Sequence, residues 1–365
     1  MGEITVKRAY YYCYRCGKGL FPWDDEVGLT PKRLTPGAER AVSLAGLLTD
    51  SFDEAARKVL PELVGLHLSE TTVQRTTEAA GDRLGAHLDQ GKVLGGPTPW
   101  CWHKDAEGKT CAYASVDATG VRQQASGGGA AEGRMPYVGM IYNPVPELPA
   151  GSAHAPPTSA KMQARYVAGL YDLDELSLVM RQQGGQVGMN RADRWIGLTD
   201  GGNGLEPFIQ KSFPLVEVVI IDFWHVSDHL GELARTLYPQ DEDKAKEQKG
   251  QWCHALKHEG GAAVVKILEE MELPERRPAL RAKHAEVLGY LRNHVARMDY
   301  PTYLAKGWLI GSGSVESACK TVVAQRLKLA GMRWREKGTD AVCHLRALYK
   351  SERTQWELFW RRSIN

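Results

Sequence analysis

Apolar residues fall into distinct regimes along the chain, and each regime predicts a different architecture. Across residues 36–90 they recur every three or four positions. Ala41, Leu44, Leu47 and Leu48 follow Pro36-Gly37 and mark a first helix. Ser51 precedes a second, with Glu54 three residues on as in a capping box, and this helix runs to about Leu63. Val64-Gly65-Leu66-His67-Leu68 reads as a turn, and Ser69 as the cap of a third helix from Glu70 to His87. Helix, glycine-bearing turn and helix is the helix-turn-helix pattern, although an ordinary helical hairpin has the same signature. On the first reading Thr71, Thr72, Gln74 and Arg75 begin a recognition helix that faces a DNA groove.

Residues 91–99 (GKVLGGPTP) read as a linker, after which the pattern becomes short apolar runs. Strands are expected at 111–116, 135–142, 164–169, 194–199 and 216–221, with helices at 174–183 and 205–213. A Gly/Ala-rich break at 126–131 and a Pro-rich loop at 143–159 separate the first three. Three consecutive strands followed by alternating helix and strand predict a mixed sheet with helices on its faces. From 236 to 305 the chain is helical and charge-rich, and Ser312 or Ser314 caps a late helix. Residues 100–235 and 306–350 are thus two parts of one core, and 351–365 form a basic, Trp-containing tail.

The first 35 residues read as a small β-rich unit, with a strand over 4–12 leading into Cys13-Tyr14-Arg15-Cys16-Gly17. Cys-x-x-Cys after a strand is one knuckle of a zinc ribbon, with Cys13 and Cys16 as half of a Zn²⁺ site. The second ligand pair is missing: either it lies upstream of Met1 or the element is degenerate, and two free cysteines in a turn are the alternative to a knuckle.

The chain has 365 residues, 43% hydrophobic and 25% charged, an ordinary globular balance for two or three domains. Mean hydropathy is −0.37, and the absence of long apolar runs excludes a membrane-spanning helix. Residues 1–13 lack the apolar centre of a signal peptide, and seven cysteines make no disulfide framework, so a reducing cytoplasm is expected. Net charge is only +2, but the cations are unevenly placed. From Lys320 onward eleven Lys or Arg face four acids, so this segment carries about +7. With Trp334, Trp356 and Trp360 it suits phosphate contact and base stacking, against the alternative of a solvated helical face. Lys320, Arg326 and Lys328 on one helix, with Arg333 and Arg335, are its candidate phosphate contacts.

Three carboxylates stand where a sheet edge gathers them: Asp117 after the first core strand, Asp200 after the fourth, and Glu316 at a late helix start. Oxygen ligands of this kind suit Mg²⁺ or Mn²⁺, and paired ions of this type serve in-line phosphoryl displacement. Taken singly, each strand-end acid reads as a turn residue. Asp222 competes with Asp200, since it also ends an apolar strand, and His225 follows it by three residues as an accessory partner. Cys101, His103 and Cys111 match no zinc-ribbon spacing. His254 and His258 lack the glutamate of a metalloprotease helix. Trp308 reads either as a stacking platform for a displaced base or as core.

SVDATG, GRMPYVGMIYNP, LTDGGNGLE, IDFWH, QWCHALKHEGG, RMDYPTYLAKGWLIGSGSVESACK and GMRW together resemble bacterial insertion-sequence DDE transposases of the ISKra group, relatives of Mutator-like elements. The resemblance spans nearly the whole chain. It implies a ribonuclease-H-like core interrupted by a helical insertion, preceded by a zinc ribbon, here partial, and a helix-turn-helix domain. It implies Asp117, Asp200 and Glu316 as the catalytic triad, with Asp222 and His225 accessory. The 116 residues from Asp200 to Glu316 leave room for the insertion.

The expected activity is metal-dependent cleavage of double-stranded DNA at element ends, with transfer of the 3′-hydroxyl strand to target DNA by a homodimer or larger assembly. The alternatives are a catalytically silent DNA-binding protein derived from a transposase, and a nuclease that cuts without joining.

Overall fold

Gly17, in the left-handed region at φ 67°, closes the turn that lets Tyr11–Cys13 (β1) and Lys18–Leu20 (β2) pair antiparallel. The structure is a computed structural model that describes residues 4–30, 33–144, 162–202, 204–311 and 313–361. The expected strand over 4–12 is realised only at its end, because, among the described residues, 4–10 meet no partner strand to take their backbone hydrogen bonds. A single turn of helix, Pro22–Glu26 (α1), follows.

The helical unit begins at Pro36–Leu48 (α2), where the Thr35 side chain accepts from the Ala38 amide. Ser51 accepts from the Glu54 amide at 2.9 Å, while the Glu54 carboxylate reaches back to the Asp50 amide. From that cap Phe52–Glu54 (α3) passes through a π turn, Ala55–Val59, into Leu60–Val64 (α4). Gly65, at φ 64°, ends the run, and Ser69 caps Glu70–Asp89 (α5) through the Thr72 amide. Val42, Ala45, Ala55, Leu60, Leu66 and Val73 form the core of this unit.

The central sheet explains the apolar runs. His103–Lys104 (β3) is a short partner of Thr110–Ala118 (β4), the middle strand. Val121–Gln124 (β5) and Ala130–Arg134 (β6) form a separate hairpin with Gly128 at its turn, so the break expected at 126–131 is a hairpin turn. Residues 145–161, which hold most of the expected Pro-rich loop, lie outside the described residues. Tyr137–Asn143 (β7) and Gln163–Gly169 (β8) extend the sheet antiparallel from β4. After helix Leu173–Gln186 (α6), Arg194–Thr199 (β9) joins the other side of β4 in parallel. Helix Leu205–Ser212 (α7) then carries the chain to Val216–Ile221 (β10), parallel to β9. The order is β10-β9-β4-β7-β8.

Both faces are covered, which is why the strands carry apolar side chains on successive positions. Cys111 and Tyr113 point to one face and Ala112, Ala114 and Val116 to the other. Helices α6 and α7 cover the second face through Leu176, Met180, Phe208 and Ile209. The first packs on a helical array: Phe223–Leu237 (α8), Glu242–Glu259 (α9), Gly261–Glu269 (α10), Pro278–His294 (α11) and Tyr300–Ala305 (α12).

The last segment closes the structure. Gly313–Ala318 (α13) continues through a π stretch, Cys319–Ala324, into Gln325–Leu327 (α14). Ser312 lies outside the described residues, as does the side chain of Ser314, so the expected cap is not described. Glu336–Lys350 (α15) lies along α5, and a Cβ built on Gly81 would sit 2.1 Å from the Ala341 carbonyl oxygen. The expected recognition helix is therefore docked along its length, leaving Thr71, Gln74 and Arg75 exposed at its start.

Two buried arginines bind this segment to α2. Arg346 donates to the carbonyls of Val322 (2.6 Å), Leu47 (2.5 Å) and Thr321, and Arg326 Nε donates to Gly46 (2.9 Å). Carbonyls at a helix end lack intrahelical partners, so guanidinium donors satisfy them. Arg346 thereby joins the C-terminal end of α2 to the π stretch. The tail is not a solvated platform: Arg353–Arg361 (α16) buries Trp356 and Trp360 against α15, and Trp334 is also buried. These three tryptophans belong to the core, because their rings cover apolar surface that α5 and α15 present.

Candidate active site at the carboxyl edge of the sheet

Strands β4, β9 and β10 run parallel, so their C-terminal ends share one edge, where open α/β sheets place their ligands. Asp117 lies near the end of β4, and Asp200 directly follows β9. Half-buried Asp117 accepts the Ala118 amide on Oδ1 (2.6 Å) and the Cys319 thiol on Oδ2 (3.3 Å). Burial raises its pKa above the usual carboxylate value; the negative charge of Asp200 adds to the rise, and His225 opposes it. Burial and the Asp117 charge push the Cys319 thiol far up, so it stays a protonated donor at neutral pH.

Asp200 Oδ1 accepts from the Gly202 amide (2.8 Å), and its backbone carbonyl accepts from Tyr290 Oη (2.9 Å). Gly201 takes φ 86°, and a Cβ there would crowd Tyr290 Oη at 3.1 Å and His294 Nε2 at 3.3 Å. Glycine lets α11 approach the acid. Asp222 has a different environment. It is 3% exposed, its Oδ1 accepts from the Trp224 amide (2.8 Å), and it caps α8. Its cap fixes the first turn of α8, which carries His225.

Glu316 is exposed on α13, one helical turn before Cys319, on an element that packs against β4 and β7. The Cys319–Asp117 contact brings this helix to the edge. The helix changes to π geometry at Cys319, a distortion frequent at functional sites. The chain entering α13 is held against α8, where a Cβ on Gly311 would sit 2.7 Å from the Trp224 ring.

A row of rings backs the acids. His225 Nε2 lies 3.2 Å from His229 Nε2, the His229 ring is 4.4 Å from Tyr290, and Tyr290 is 4.7 Å from His294. Burial, reinforced by His225, lowers the His229 pKa; burial and Arg297 lower that of His294. His229 shares the i,i+4 stripe of His225, a signal that the sequence carried. Tyr290 and His294 come from α11, far along the chain, and no local pattern announces them. Among the described residues, His229, Glu232 and Glu286 form a group with ligand atoms within 4.8 Å of one another. Lys283 Nζ already lies between its carboxylates, 3.1 Å from Glu232 and 3.0 Å from Glu286.

Other expected residues are dispersed. Thr71, Gln74, Arg75, Arg326, Arg333 and Arg335 line one groove, away from the acids. Thr72 is instead tied to the Ser69 hydroxyl (2.9 Å), and Lys328 Nζ donates to Thr119 Oγ1 (3.0 Å). Lys320 is exposed on the π stretch. Arg326 does not share an exposed helix face with Lys320 and Lys328: it is 1% exposed, because its turn faces α2. Trp308 is core, stacked on Tyr303 and donating to Asp105. Cys13 and Cys16 are exposed, and hydrogen bonds from Cys16 lower the Cys13 pKa; among the described residues no third ligand joins them. No protein-family model matches this chain, and no curated protein matches it significantly.

Proposed function

We propose that the chain is a DDE transposase with a ribonuclease-H-like core, which cleaves double-stranded DNA at the ends of a mobile element and transfers the 3′-hydroxyl strand to target DNA. The observation that carries this reading is the meeting of Asp117 and Asp200 at the ends of adjacent parallel strands, close enough that one charge raises the other's pKa. The strand arrangement supports it: three antiparallel strands, then two parallel ones on the far side of the first, with a helix leading from the second acid to the fifth strand.

Carboxylates crowded in this way gain from a divalent cation between them, and an all-oxygen donor set suits Mg²⁺ or Mn²⁺. Asp117 and Asp200 would hold it, with Glu316 presented from α13. When bound, the metal supplies charge neutralisation for the phosphoryl oxygens and a lowered pKa for the attacking water. The Cys319 thiol and Ala118 amide orient Asp117; the Gly202 amide orients Asp200. His225 places an imidazole beside the acids, on the helix turn that the Asp222 cap fixes. Two element ends must be paired, so the active form is a homodimer or larger.

The test is Mg²⁺- or Mn²⁺-dependent nicking of labelled duplex from the ends of the element that encodes the chain. Asp117→Asn, Asp200→Asn and Glu316→Gln are each expected to lose at least about a hundredfold in rate while still binding DNA. Nicking that survives in Asp200→Asn but not in Asp222→Asn would move the second ligand to Asp222. Binding without cutting in the wild type would leave a DNA-binding protein derived from such an enzyme.

A further inference from the structure

We infer that the groove between the start of α5 and residues 332–338 is a phosphate-binding site, separate from the acid edge, that grips the backbone of duplex DNA. The inference rests on the transposase reading for its ligand, and on the groove itself for everything else.

The groove encloses about 580 Å³ and draws its lining from four separate stretches of chain. One wall is the first turns of α5, with Thr71, Gln74 and Arg75. The opposite wall carries Arg333, Arg335 and Lys337, and Gln124 of β5 closes one end. The two parts of the core are joined there by backbone: Gln124 N donates to Trp334 O (2.7 Å) and Trp334 N to Arg122 O (3.0 Å). Five cations therefore line the groove against one acid, Glu78, which is itself bound by Gln74 at 2.9 Å.

The cations are unevenly committed. Lys337 pairs with Asp82, whereas Arg75, Arg333 and Arg335 form no ion pair among the described residues. Glu336, the acid that follows Arg335, is taken by Arg134 at 2.6 Å. The floor carries the second observation. Arg326 is 99% buried with its guanidinium over the Phe52 and Trp334 rings, and its Nη2 has no hydrogen-bond partner. Arg165 shows how this fold treats a buried arginine otherwise, with Glu352, Gln183, Gln186 and Thr98 around it. Burial, reinforced by Arg346 and opposed by Asp50, lowers the Arg326 pKa to about 10, so its charge persists at neutral pH, and it forms no ion pair among the described residues. Its Nε and Nη1 donate to the Gly46 and Asp50 carbonyls, but a buried cation that keeps an unpartnered donor and no ion pair is costly unless an anion completes the site. A phosphate on the groove wall, held by Arg75, Arg333 and Arg335, supplies that anion.

Position argues for the same duplex that meets the acids. Strand β5 follows Asp117 within seven residues, so groove and acid edge are at most roughly 23 Å apart along the chain. That is less than one turn of B-DNA, roughly 34–36 Å.

The test is binding of the full chain to a labelled duplex of mixed sequence, by fluorescence anisotropy across a salt series. Each phosphate contact contributes about −0.9 to the slope of log K against log salt. The exposed double variant Arg333→Ala/Arg335→Ala should weaken binding and flatten the slope by about 1.8, and Arg75→Ala by about 0.9. The charge-matched Lys244→Ala/Lys246→Ala on α9 should leave the slope unchanged. An unaltered slope in the groove variants, or equal flattening in the α9 control, would overturn the site. Tighter binding of single-stranded RNA than of the duplex would overturn its ligand. Nicking is read separately: groove variants with flattened slopes, in a chain that never cuts DNA, keep the site and sink the transposase reading. Nicking by a wild type whose slope ignores Arg75, Arg333 and Arg335 does the reverse.

Discussion

Asp117 is the residue at which stability and chemistry oppose one another. Its pKa is raised in the folded chain, so its ionised form costs stability as pH rises above the ordinary value of 3.8. Asp117→Asn should therefore raise the melting temperature of the metal-free protein at neutral pH, while abolishing nicking. Calorimetry of both forms checks this, and a lowered melting temperature would contradict the burial argument. His229 and His294 have the opposite sign of pH dependence. Burial depresses both, so the unfolded chain binds their protons first, and stability is lost as pH falls below 6.5. His229→Gln should flatten urea midpoints measured between pH 7 and pH 5. The acids were legible because each ends an apolar run or opens a helix. Cys319, Tyr290 and His294 were not, because their roles exist only once α11 and α13 fold back onto the edge.

Between elements, the closest approach is that of α5 to α15. Gly81→Ala gains helix propensity of about 1 kcal/mol but drives a methyl group into the Ala341 backbone. Overpacking of this kind costs roughly 1–3 kcal/mol, so the variant should have a lower urea midpoint, whereas Gly37→Ala, with open space around it, should not. The helices and core strands were legible from apolar spacing, caps and the glycine at 65. The β5–β6 hairpin was not: Ala-Ala-Glu-Gly-Arg in β6 is exposed throughout and weak in β propensity. Long-range bonding of β5 to Trp334 supports it, and such pairing has no signature in a local window. The tryptophans were misread for a related reason, since aromatic residues among cations look alike whether they meet bases or a neighbouring helix.

For the molecule as a whole, a divalent cation should act as a stabiliser as well as a reagent. At about a hundred times its dissociation constant, Mg²⁺ or Mn²⁺ bound at the acid edge would add about 2.7 kcal/mol. Melting curves with and without the ion check this, and the gain should vanish in Asp117→Asn/Asp200→Asn. Arg346 sets how far such effects spread. Arg346→Met would remove the donors to two buried carbonyls, Leu47 and Val322, at roughly 1–3 kcal/mol apiece, and to the half-buried Thr321 carbonyl, and hydrogen exchange should quicken at both α2 and the π stretch. That tether also bears on how the protein can diversify. A helical DNA-reading unit on a flexible linker can be exchanged as a cassette, leaving the catalyst untouched. Here the end of α2 is bonded to the helix that carries Glu316, so any new helical unit must bring matching carbonyls for Arg326 and Arg346. On the proposed function, recognition and catalysis would then be inherited together, and change of specificity would come by substitution within the groove rather than by domain exchange.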